Sequence, residues 1–153
     1  MPLTPAQIAA PGTEHAHQCA FFQWLAIEGV KQFDGLDLMH AIPNGADYSS
    51  ASVGSRMKAE GLKAGVPDTH LPVPAGPYPG LYIELKVPAN KSKKNGGRSD
   101  KQVEWHLKLR ARGFAVVTAY GWAAMVVAVQ LYYAGNLVMP DDGDSLVISG
   151  DVG

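Results

Sequence analysis

Residues 65–87 read GVPDTHLPVPAGPYPGLYIELKV, and their order decides the fold. A proline-fixed turn precedes a short extended run, proline and glycine then punctuate a turn, and LYIELK follows with the period of two that marks a strand. On that period Leu81, Ile83 and Leu85 face one side and Tyr82, Glu84 and Lys86 the other. Asp68 and Glu84 are sixteen residues apart, enough for one strand, a turn and a returning strand. The stretch therefore predicts two acids meeting at one sheet edge, with a lysine two residues beyond the second.

Outward from this centre, a polar insertion, PANKSKKNGGRS, leads into a helix expected from about Asp100 to Arg112. Ser99 and Gln102 have capping-box spacing, and Gly113 supplies the stop. Residues 114–134 are 21 in number and carry no formal charge, near the length a bilayer requires. They do not read as a span: FAVVTAY is β-branched and aromatic, Gly121 interrupts, and WAAMVVAVQLYYA is too short to cross. A buried strand followed by a buried helix is expected instead. Upstream, Thr13 is placed to cap a helix from about Glu14 to Phe33, whose stripe carries Glu14, Gln18, Phe21, Leu25 and Glu28. LMHAI is a strand candidate ended by PNG, and SVGSRMKAEGLKAG a short helix or ordered loop. The succession of helix, strands, helix, strand, helix predicts one α/β domain with a mixed sheet. Its bounds are set at 14–135, between a flexible arm (1–13) and an acidic, mobile tail (136–153).

The composition narrows the function classes. With 153 residues, 46% hydrophobic and 18% charged, the chain suits a single folded domain. One cysteine, Cys19, excludes an internal disulfide and a cysteine-rich zinc site, which points to a cytoplasmic protein. A net charge of −1 argues against a uniformly basic coat, yet nine of the 13 basic residues fall between Lys86 and Arg112 against two acids. The run containing Lys91, Lys93, Lys94, Arg98 and Lys101 reads either as a solvated loop or as a phosphate grip beside Lys86; the second is favoured. His15, His17, His40, His70 and His106 lack zinc spacing and read as surface or capping residues, with His70 a neighbour of the Asp68 face. Trp105, Trp122 and Phe114 read as core aromatics.

Two acids and a lysine in this order suit phosphodiester hydrolysis. Asp68 and Glu84 supply hard oxygen ligands for Mg²⁺ or Mn²⁺, with the Leu85 carbonyl a third donor. Lys86, on the Glu84 face, would orient the attacking water or meet charge developing on phosphorus. Lowering so high a barrier asks for on the order of 20 kcal/mol, whereas one aimed donor supplies about 3 to 4 kcal/mol. Lysine alone is therefore insufficient, and a metal is expected.

GVPD, then IELK, then DKQVEWHLKLRARGFAVVTAYG resembles the signature of the VRR-NUC family of PD-(D/E)XK nucleases. EHAHQ, AIPNG and the apolar helix extend the resemblance over roughly residues 14–134. It implies a restriction-endonuclease-like α/β core and a divalent-metal endonuclease acting on DNA, with branched or four-way junctions cut by homodimers. Carried over position by position, Asp68 and Glu84 become metal ligands, Lys86 the catalytic lysine, Glu14 a metal-proximal acid and Gln102 a supporting residue. Glu14 also suits a helix N-terminus, and Gln102 a capping box. The chain departs from the pattern after PNG, where ADYSSASVGSR leaves Arg56 as substitute for the family's basic residue. The long insertion before Gln102 is a second departure. Competing readings are a non-catalytic DNA-binding module of the same fold and a metal-dependent hydrolase of another phosphate ester.

Overall fold

The computed structural model describes residues 2–43 and 51–150. Its frame is a five-stranded mixed sheet in sequential order: His40–Ala41 (β1), Thr69–Leu71 (β2), Leu81–Lys86 (β3), Ala115–Tyr120 (β4) and Leu146–Ser149 (β5). β1, β2 and β3 run antiparallel to their neighbours, while β3, β4 and β5 are parallel. Residues 42–68, which include a helix, join β1 to β2, and the proline- and glycine-rich residues 72–80 join β2 to β3. The parallel pairs need crossovers, supplied by helices Asp100–Ala111 (α5) and Trp122–Tyr133 (α6).

The alternation read in LYIELK sorts the two faces. Leu81, Ile83 and Leu85 join Val117, Ala119, Met125, Val129 and Phe21 in the core, under α6 and the helix Glu14–Trp24 (α2). Tyr82, Glu84 and Lys86 lie in register with Val116, Thr118 and Tyr120 on the opposite face, which α5 covers. β3 and β4 are thus buried on both faces, as the strands of a helix-covered parallel sheet are.

Several expected boundaries shift. The long first helix is α-helical to Trp24, passes through a π turn at Leu25–Gly29, and ends at Val30–Gln32 (α3). Gly29 is buried there, and a Cβ on it would lie 2.7 Å from Leu36. The arm expected to be flexible holds a capped helix, Pro5–Ala9 (α1), packed on α2. SVGSRMKAEG contributes to helix Ala51–Ala59 (α4). The final residues of PNG lie outside the described residues.

The largest correction is at the C-terminal end. Residues 136–150 are not a mobile tail: Leu137, Asp144 and Ser145 are buried, and β5 extends the sheet beside β4. Acidic and glycine-rich flanks concealed LVIS, a run well suited to a strand. Among the described residues no helix is long and apolar enough to cross a membrane.

Candidate active site

The antiparallel register of β2 on β3 pairs Thr69 with Ile83, so Asp68, one residue earlier, comes opposite Glu84. The backbone N–H of Ile42 fixes the Asp68 carbonyl at 2.7 Å, and the N–H of Leu85 donates to Asp68 Oδ2 at 2.7 Å. Glu84 is 1% exposed, and its carboxyl group is in hydrogen-bonding contact with that of Asp68. Burial, then the hydrogen bond and like charge of Glu84, push the Asp68 pKa up to about 9 against the pull of Leu85 N–H and Lys86. Burial raises Glu84 as well, opposed by Asp68 and Lys86. Both carboxyl groups thus give up their protons less readily than free ones do.

Such a pair is what a hard divalent ion would relieve, because it takes the place of protons and compensates both charges. In a strand the N–H and C=O of one residue point to the same edge, so the Leu85 carbonyl faces the Asp68 side with its N–H. The donor set fits Mg²⁺ or Mn²⁺: two carboxylates and a carbonyl, the remaining positions being left to water and phosphate. Among the described residues no three His, Cys, Asp or Glu side chains converge closely enough to hold a metal. Glu14 occupies the first turn of α2, its side chain half exposed, with Oε1 4.0 Å from Lys86 Nζ, and its charge also reaches Glu84. Lys86 itself is nearly buried, two residues beyond Glu84 on the same face.

Behind Glu84 lies a network that the sequence reading missed. His106, wholly buried on α5, directs Nε2 at Glu84 Oε1 across 3.5 Å, while its Nδ1 contacts Asp144 Oδ2 at 2.6 Å. Neither Glu84 Oε1 nor His106 Nε2 has a closer polar partner. Arg98 then grips both oxygens of Asp144 at 2.9 Å and also donates to the Tyr120 hydroxyl. Burial alone would raise Asp144, but the hydrogen bonds and charges of His106 and Arg98 hold it well below the usual carboxylate range. An ionised Asp144 fixes the proton on Nδ1 and thereby aims Nε2 at the acid pair. One signal was available: Val103 and Leu109, three residues to either side of His106, place it on the sheet-facing side of α5.

The remaining expected site residues fall into two groups. Lys86 and Gln102 line a cleft of about 570 Å³ together with Lys101 and Lys58. Gln102 completes the capping box, its Oε1 accepting from Ser99 N at 2.8 Å. The segment expected to grip phosphate faces elsewhere in part. Residues 88–97 form two 3₁₀ turns, Lys91 donates to the Ser149 hydroxyl, and Arg98 is spent on Asp144; Lys93 and Lys94 stay exposed. Arg56 is exposed on α4 and pairs with Glu60 at 3.6 Å. His70 stacks on Tyr82 with centroids 4.2 Å apart, and His17 Nδ1 accepts from Trp122 N at the start of α6. Trp122 packs against the core as expected, whereas Trp105 is outside it.

A mixed sheet with its acid pair on the central strand and its inner neighbour, a lysine beside it and helices on both faces is an α/β domain of the restriction-endonuclease-like, PD-(D/E)XK type. A solved structure described as a VRR_NUC domain protein matches with a TM-score of 0.63 and 26% identity, covering 80% of this chain and 88% of that one. This likeness supports the VRR-NUC family, as the sequence resemblance leads one to expect. No family model and no curated protein matches it.

Proposed function

We propose that the protein is a Mg²⁺- or Mn²⁺-dependent endonuclease of branched DNA. The observation that carries this reading is the buried Asp68–Glu84 carboxyl pair beside Lys86, since two carboxyl groups brought together on neighbouring strands, with the Leu85 carbonyl at the same edge, make an oxygen donor set suited to a hard cation. Asp68, Glu84 and the Leu85 carbonyl would hold the ion. When bound, it supplies charge to the phosphate oxygens and lowers the pKa of attacking water. Lys86 keeps one ammonium beside the acids, where it orients water or meets the charge growing on phosphorus. Glu14 restrains that ammonium from the α2 side, and Gln102 closes the cleft wall while capping α5. A chain of this size carries one such centre, so paired cuts in a two-fold symmetric junction call for a homodimer.

The test is incubation of the purified chain with linear duplex, single-stranded, flap and four-way junction DNA in Mg²⁺, Mn²⁺ or EDTA. Cleavage is expected with either metal and is lost in Asp68→Ala and Glu84→Ala. Lys86→Ala should cost about 10²- to 10³-fold in turnover while retaining metal binding. Cleavage that persists in EDTA overturns the metal mechanism. Binding without cleavage in both metals favours the non-catalytic module.

A further inference from the structure

Beyond the acid pair, the cleft does not end at Gln102. Its Lys58, Leu62, Ala64 and Lys101 also line a second groove, of about 630 Å³, which runs on to Lys63, Trp105 and Lys108. The two are continuous through these shared walls. Four lysines edge the second groove, and among the described residues no acid lines it. Lys108 is held by Glu104 at 2.8 Å across one helical turn, which keeps its ammonium on this side of α5.

Trp105 is the unexpected occupant. Trp24 and Trp122 pack against the hydrophobic core, but Trp105 is not part of that cluster and is half-buried among lysines. Lys101, Trp105 and Lys108 stand at spacings of four and three on α5, one stripe of the helix. His106 turns toward the sheet, so α5 serves the acid pair with one side and the groove with another. The opposite wall is drawn close by Gly65, whose positive φ and lack of a side chain let the backbone approach. A Cβ there would lie 2.8 Å from the Lys101 carbonyl and 2.9 Å from the Trp105 ring.

Lysines along a track with an aromatic ring at its floor form the arrangement that receives unpaired nucleic acid, phosphates meeting the ammonium groups and a base stacking on the ring. A closed duplex offers its phosphates but no free base face. We infer that the Lys58–Lys63–Lys101–Lys108 groove binds a single strand running on from the scissile phosphate, with one unpaired base stacked on Trp105. This rests on the nuclease reading above and sharpens it: the preferred branched substrate carries an unpaired arm.

The experiment is anisotropy of a short labelled oligodeoxythymidylate and of a blunt duplex with the full chain in EDTA, over a range of salt. The single strand should bind more tightly than the duplex. Trp105→Ala should weaken it about five- to hundredfold, and Trp105→Tyr should restore most of the loss. Lys63→Ala with Lys108→Ala should flatten the log–log salt slope by about 1.4, two contacts at about 0.7 each. Lys31→Ala, an exposed lysine on α3 that lines neither groove, should leave single-strand binding as it was. Unchanged binding in both Trp105→Ala and the Lys63/Lys108 pair, at unchanged melting temperature, overturns the groove and leaves the nuclease reading standing. A wild-type chain that binds no single strand overturns the groove, and one that also cleaves none of the four DNA substrates in Mg²⁺ or Mn²⁺ overturns the nuclease reading itself. Should Trp105→Ala fail to fold, the lysine pair and Trp105→Tyr still decide.

Discussion

Two basic regions of this protein are both rich in lysine and face different surroundings. The 87–99 segment is lysine-rich and adjoins Lys86 in sequence, yet Arg98 turns inward to Asp144 and Lys91 is tied at the surface to Ser149. Arg110, on α5, adds hydrogen bonds to the Pro140 and Gly143 carbonyls. The groove between α4 and α5 gathers its lysines from distant parts of the chain and opens beside the site. Charge density along a sequence therefore says little about what the charge faces. In the first region part of it fastens the C-terminal residues behind Glu84; in the second it lines an open groove, the one inferred above to take a single strand.

The sharpest way to break this contrast is to remove one partner of the inward pair. Arg98→Ala or Asp144→Ala leaves a buried charge without its counterpart and should cost about 3 to 5 kcal/mol in urea unfolding. If Arg98 served DNA instead, stability would hold and only binding would fall. The same pair sets an acid response. Asp144 binds a proton less readily folded than unfolded, so its stabilisation is complete above the ordinary carboxylate pKa of about 4 and is lost as pH falls below it. Asp144→Asn should flatten that acid limb.

A smaller effect separates aiming from mere packing. His106→Gln keeps a polar group of similar reach but loses the ring that joins Asp144 to Glu84, and should weaken Mn²⁺ binding about 10- to 100-fold by calorimetry. A melting point that drops with unchanged metal affinity would reduce His106 to a structural filler. The smallest change is expected from Lys93→Ala with Lys94→Ala, since both side chains are exposed. Unfolding stability should move by less than about 0.5 kcal/mol, and a larger shift would mean the segment is fastened by more than Lys91 and Arg98.

What the sequence made legible follows locality. Period two in LYIELK, the Ser99–Gln102 box and the Gly113 stop depend on neighbours in the chain, and each appears where expected. Asp68 and Glu84 were recoverable because a single turn joins them. Asp144 was not, since it meets His106 and Arg98 only after the chain has crossed the sheet twice. Acidic residues near a chain end look solvated until the cations they neutralise are known. Trp105 misled for the reverse reason: tryptophan usually reports a core, and only the packed structure shows which rings the core leaves out.

β5 and the residues just before it carry one more consequence. During synthesis Asp68, Glu84 and Lys86 leave the ribosome first, α5 with His106 follows, and Asp144 emerges after α6. A nascent chain that has reached α6 holds both acids and the lysine but not the carboxylate that orients His106. The order of translation thus delays the completed Glu84–His106–Asp144 network until the last strand has been made.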